Sequence, residues 1–96
     1  MPAYVIGRLQ MRDPSWIETY RATVPKIVAR HGGKYLVRGV DMERLEGSTP
    51  LPTSMVVVEF PTMDAGRAFY NDPEYAPFIK LRQAGSDIEL VLVQGV

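Results

Sequence analysis

Residues 54–60 read Ser54-Met55-Val56-Val57-Val58-Glu59-Phe60, and Pro61 follows. Seven residues rich in β-branched side chains, ended by a proline, predict a strand. Successive side chains of a strand point to opposite faces. Here Val56 and Val58 are apolar on one face, and Met55 and Val57 on the other. A strand with one face in water alternates apolar with polar, whereas one apolar on both sides is covered on both. Leu90-Val91-Leu92-Val93 has the same character.

The rest of the chain falls into place around this strand. Ala3–Met11 predicts the first strand. Asp13 then reads as a helix N-cap with Pro14 at the first helical position. That helix is expected over Pro14–Arg30, with Trp16, Tyr20, Val24, Ile27 and Val28 on one face at steps of three and four. Pro25 inside it predicts a bend. His31-Gly32-Gly33 ends it. Lys34–Val40 predicts the second strand, with residues 41–46 continuing it past a bend at Gly39, and Gly47–Pro52 reads as a turn. After the quoted strand, Thr62 caps a short helix to Tyr70. Asn71-Asp72-Pro73 breaks that helix and starts another over Pro73–Ala84, stopped by Gly85. Asp87–Gly95 is the last strand.

The order is β-α-β-β-α-β in 96 residues, one domain over residues 1–96. This is the α+β ferredoxin-like plan: a four-stranded antiparallel sheet with the helices on one face. Such a chain has nothing left to cover the other face. A second copy is the simplest cover, so a homodimer is expected. The plainer alternative is that the outer valines reflect β propensity alone.

Charge and composition narrow the function classes. Lysine plus arginine number 11 and aspartate plus glutamate 11, a formal net charge of zero. There is no global field to draw in nucleic acid. The quoted strand, with an acid and a single aromatic, lacks the signature of sheet-based RNA binders. No apolar run approaches the roughly 18 residues of a membrane span. Cysteine is absent and histidine occurs once, so neither thiolate nor poly-histidine metal sites are expected. Asp41, Glu43 and Glu46 lack a glycine-bearing calcium loop and read as a solvated edge. Gly7, Gly32, Gly33 and Gly39 do not have phosphate-loop spacing, and there is no nucleophile-elbow motif. No cofactor is expected. The first eight residues show no basic leader and apolar stretch, which reads as a cytoplasmic protein.

A few residues carry candidate chemistry. His31 stands at a helix C-terminus. It reads either as a general acid or base, or as a terminal residue bonding free carbonyls. Glu59 interrupts an apolar strand, so it needs a partner or a raised pKa. Arg8 and Arg38 are its candidate partners, and proton acceptor and structural ion pair are its alternative roles. Tyr70, Tyr75 and Arg82 lie on the second helical segment, with Tyr75, Phe78 and Arg82 on one face. With Trp16 and Tyr20 they suit an aromatic pocket between helices and sheet, in which Arg38 or Arg82 receives a carboxylate or phenolate. The alternative is that these rings simply pack the core.

Several segments together resemble a known family. They are His31-Gly32-Gly33-Lys34-Tyr35-Leu36-Val37-Arg38-Gly39, Leu45-Glu46-Gly47, Val56-Val57-Val58-Glu59-Phe60-Pro61, Phe69-Tyr70-Asn71-Asp72-Pro73-Glu74-Tyr75 and Arg82. Across nearly the whole chain the sequence resembles the bacterial domain-of-unknown-function family 1330. That family looks like a branch of the dimeric α/β-barrel superfamily, in which two ferredoxin-like protomers pack sheet against sheet. The resemblance implies a homodimer and supplies no activity. By fold analogy it admits a cofactor-independent monooxygenase- or isomerase-like enzyme acting on a small aromatic or carbonyl compound through His31, Glu59, Arg38, Tyr70, Tyr75 and Arg82. The competing expectations are a non-catalytic ligand-binding or stress-related dimer, and a purely structural module.

Overall fold

The computed structural model describes residues 1–96. β1 (Ala3–Met11) leads through a 3-10 turn (Pro14–Trp16) into α1 (Ile17–Arg30). β2 (Lys34–Gly39) and β3 (Ser54–Phe60) follow, then α2 (Met63–Tyr70), α3 (Ala76–Gly85) and β4 (Ser86–Gln94). The four strands form one antiparallel sheet in the order β2-β3-β1-β4. The architecture is ferredoxin-like α+β.

Local chemistry fixes the element ends. The Asp13 carboxylate accepts from Ser15 N at 2.9 Å, and Thr62 Oγ1 accepts from Ala65 N at 3.0 Å. Each satisfies an orphan donor at a helix start. At the end of α1, Gly32 adopts φ 77°, and Gly33 N donates back to Val28 O at 2.9 Å. That left-handed step is cheap only for glycine. Pro25 does not end α1, although it removes the N–H that would bond the carbonyl of Arg21.

Two expectations are corrected. Residues 41–46 do not extend β2, and no regular element lies between Gly39 and Ser54. Instead the second half of this loop is strapped to β1. Arg8 Nη2 donates to Pro50 O at 3.0 Å, Gln10 Nε2 donates to Leu51 O at 2.9 Å, and Met11 N donates to Thr53 Oγ1 at 3.0 Å. With Pro50 and Pro52 short of donors, side chains hold the loop where a ladder would not. The last helix begins at Ala76, because Asp72 caps a separate turn first: its Oδ1 accepts from Glu74 N, and its carbonyl accepts from Tyr75 N, both at 2.9 Å.

The core lies between the helices and one sheet face. Val5, Val24, Ile27, Val28, Val58, Phe60, Phe69 and Tyr75 form it. Phe60, Phe69 and Tyr75 stack in series, with centroids 5.3 and 4.5 Å apart. On the other face, Ile6 sits between Val57 and Val91, and Tyr4 between Glu59 and Val93. Leu36, Val37, Val91 and Val93 are exposed there, Val91 by 57%. No helix is long and apolar enough to cross a membrane.

Candidate functional site

A cavity of ≈ 130 Å³ lies between α1 and the sheet. A cavity of about 150 Å³ takes up a benzene-sized ring. Its walls are apolar: Val5 and Leu9 of β1, Val56 and Val58 of β3, Ile88 and Leu90 of β4, and Trp16, Val24 and Val28 opposite them. Gly7 belongs to the same face of β1. A Cβ there would stand 2.8 Å from Val56 Cγ1 and 3.0 Å from Leu90 Cδ1. Glycine weakens a strand interior, and here its bare backbone keeps the floor clear.

The polar end is built by α1 and α3. Arg82 Nη1 donates to the Tyr75 hydroxyl at 2.6 Å and to the Tyr20 hydroxyl at 3.2 Å, and the two hydroxyls are 2.6 Å apart. Arg82 is only 3% exposed and Tyr75 1%. The Arg82 Nε and the indole nitrogen of Trp16 are buried without partners. No carboxylate lines the cavity, whereas Arg21, Arg38 and Arg82 all do.

Burial shifts these groups in a consistent sense. It pushes the Tyr75 hydroxyl far above its ordinary value, and the neighbouring Tyr20 oxygen adds to the shift. Burial opposes the charge on Arg82, but the Tyr75 and Tyr20 oxygens around it more than offset this and its pKa is raised. Arg82 is therefore a fixed cation, and the Tyr75 hydroxyl beside it stays neutral. The Arg82 charge is met by hydroxyl oxygens and by no carboxylate, and its Nε is left without a partner. Tyr35, at the side of the cavity, is pushed up to about 12, chiefly by burial.

The surrounding structure holds this end in place. Arg12 Nη2 donates to the carbonyls of Gln83 at 2.8 Å and Ser86 at 3.0 Å, closing the C-terminus of α3 just beyond Arg82. His31 Nε2 lies 2.8 Å from Asp72 Oδ2. Arg30 grips both oxygens of Glu74, at 3.1 and 3.0 Å. The hydrogen bond to His31 holds the Asp72 carboxyl below its ordinary value. Together these contacts tie the end of α1 to the turn that carries Tyr75.

Of the residues singled out by sequence, Arg38, Tyr75 and Arg82 meet at this cavity, with Trp16 and Tyr20. A β-bulge between Tyr35 and Val37 is responsible for Arg38. Tyr35 pairs with Val58 and Arg38 with Val56, so both face the helices although three residues apart. The Arg38 guanidinium lies 4.8 Å over the Tyr35 ring. Tyr70 is outside the cavity, 42% exposed, with its ring edge-on to Tyr75 at 6.2 Å. His31 is outside it too, on Asp72. Glu59 lies on the opposite sheet face. Its cross-strand neighbours are Tyr4 and Lys34, not Arg8 or Arg38. Asp41, Glu43 and Glu46 do not join a cluster able to hold a metal ion.

Arg12, Arg21 and Gly7 were not legible as site residues. Arg12 and Arg21 look like ordinary surface cations. Gly7 carried a faint signal, as a glycine interrupting an otherwise β-branched strand.

The family model described as "Domain of unknown function (DUF1330)" matches residues 2–96. No curated protein matches the chain significantly. Among solved structures, the chain is similar to RPA0582, a protein of unknown function from Rhodopseudomonas palustris. The TM-score is 0.82 at 20% identity, covering 99% of this chain and 82% of that one. It is similar to SnoaB, a cofactor-independent oxygenase from Streptomyces nogalater, with a TM-score of 0.67 at 21% identity and coverages of 99% and 93%. A dimeric ferredoxin-like protein of unknown function from Jannaschia sp. CCS1 gives 0.72 at 13% identity, with coverages of 99% and 100%. Likenesses this remote establish the shared fold.

Proposed function

The chain belongs to the family of the domain of unknown function DUF1330, and on that premise we propose that it binds a ring-sized, largely apolar compound through an anionic oxygen. The binding site is the cavity between α1 and the sheet. One observation carries the reading: Arg82 is buried beside two tyrosine hydroxyls, with no carboxylate along the cavity. Charge-assisted hydrogen bonds from such donors favour a carboxylate, phenolate or enolate over its neutral counterpart. The apolar walls accept an aromatic or alicyclic ring and reject a hydrated ion.

The polar end contains donors and no proton acceptor of carboxylate or imidazole type. It therefore supports stabilising a conjugate base more than abstracting a proton. This favours a ligand that ionises on its own and is held as the anion. His31 enters as a positioning residue for the Tyr75 turn, and Glu59 as part of the exposed sheet face. A second, catalytic reading rests on the same donors. An enolate or phenolate held at Arg82 is electron-rich, the form of an organic substrate suited to cofactor-independent oxidation such as the activity named for SnoaB. Oxygen uptake on adding an enolisable ligand separates this reading from simple binding.

The working unit is a homodimer in which the sheet faces meet. Ile6, Val57, Val91 and Val93 form an apolar strip that a second copy would cover. The dimeric state of the ferredoxin-like neighbour from Jannaschia supports this arrangement.

A thermal-shift series with benzoate, benzamide and toluene tests the binding reading. Benzoate is expected to raise the melting temperature most, and the gain to vanish in Arg82→Met. Equal shifts from all three, or a benzoate shift that persists in the variant, would overturn it.

A further inference from the structure

Two further arginines line the cavity. Arg21 of α1 and Arg38 of β2 line the same cavity as Arg82, yet both are exposed. They approach from opposite sides, one from the helical layer and one from the sheet. Neither forms a salt bridge or hydrogen bond with any side chain or backbone group; Arg38 only rests over the Tyr35 ring. The chain has as many acidic as basic residues, so unpaired arginines along one cavity are not forced by composition. Other surface arginines do find partners: Arg12 with Asp87, Arg30 with Glu74 and Arg67 with Asp64.

Backbone geometry, not chance side-chain placement, sets Arg38 there. Without the bulge after Tyr35, a residue three positions on would face the far side of the sheet. The bulge brings it to the side of the cavity. Tyr35 supports the guanidinium without neutralising it, because its hydroxyl is pushed up to about 12 and stays protonated.

We infer that the ligand is two-ended: a ring compound bearing one anionic oxygen for Arg82 and a second anionic group for the Arg21–Arg38 pair. The class is a ring-sized dianion, with one charge buried and one at the surface. The buried end sets the identity of the first group through the Arg82 guanidinium and the one tyrosine hydroxyl whose proton the Tyr20–Tyr75 bond leaves free. The outer end adds attraction and orientation, and it is weakened by salt because it is open to solvent. This rests on the anion-binding reading of Arg82.

Calorimetric titration of terephthalate and 4-methylbenzoate tests it, since the two differ by a carboxylate against a methyl group at the far end of the same ring. The comparison uses the wild-type protein, Arg21→Gln/Arg38→Gln and Arg82→Met at low salt. Terephthalate is expected to bind the wild type about two- to thirtyfold more tightly, as two exposed ion pairs allow. In the double variant that preference should disappear, with terephthalate losing more affinity than 4-methylbenzoate. Equal wild-type affinities, or a preference surviving in the double variant, overturn the two-ended ligand. If the probes bind equally and Arg82→Met still abolishes both, the anion site at Arg82 stands and only the role of the Arg21–Arg38 pair falls. If wild type binds neither probe, both fall.

Discussion

Arg82 Nη1 donates to the Tyr75 hydroxyl at 2.6 Å where both side chains are almost wholly buried. The arginine has no carboxylate in reach, so its charge is compensated only by dipoles. With no carboxylate partner, removing the arginine strands no opposite charge in the interior. Tyr20 and Tyr75, 2.6 Å apart, still satisfy each other without it. Arg82→Met is therefore expected to melt at or above the wild-type temperature while losing anion binding. A melt several degrees lower would show that the arginine serves the fold instead.

Gly7 opens the cavity floor. In Gly7→Ala the new Cβ presses on Val56 Cγ1 and Leu90 Cδ1, both cavity walls. Overpacking costs about 1–3 kcal/mol, offset in part by the roughly 0.5–1 kcal/mol that glycine loses in a strand interior. The net loss of stability should lie between about 0 and 2.5 kcal/mol, while affinity for a ring-sized anion falls. Calorimetry alongside a denaturant melt checks the split.

The link between His31 and Asp72 makes a signed pH prediction. Asp72 is held below its ordinary value of 3.8, first by its hydrogen bond to His31. The folded state thus takes up this proton less readily than the unfolded chain. Its contribution to stability is fully present above about pH 4 and is lost as pH falls through the lowered value. Asp72→Asn should be less stable than wild type at pH 7, and the gap should close on acidification. Melts at pH 7, 5 and 3 measure it.

The apolar sheet face predicts the assembly. Val57→Lys places a charge between Ile6 and Val37, in the middle of the strip. A stable interface buries about 800 Å² per partner, and a charge at its centre is poorly tolerated. Light scattering should give about twice 10.8 kDa for wild type and a mass close to 10.8 kDa for the variant.

The fold was legible because its signals are local. The capping Asp13 and Thr62, the Gly32 stop and the Trp16–Val28 face each act within a few residues. The extent of β2 was not, since whether Asp41–Glu46 pair in a ladder depends on the distant Arg8 and Gln10 that strap the loop elsewhere. The site was legible in part for the same reason. Helical spacing brings Tyr75 and Arg82 onto one face, so their meeting could be anticipated. The place of Glu59 depends on strand register, and that of Arg38 on a bulge, which no local pattern in residues 34–39 announces. His31 was visible as a helix terminus, but its partner lies 41 residues away.

Trp16 is the single tryptophan and lines the cavity. Its emission therefore reports directly on occupancy beside Arg82. In a titration with benzoate, saturable change in the wild type and none in Arg82→Met is the expected result. An emission change of the same midpoint in both proteins, or none in the wild type, would contradict the assignment of this cavity as an anion-binding site.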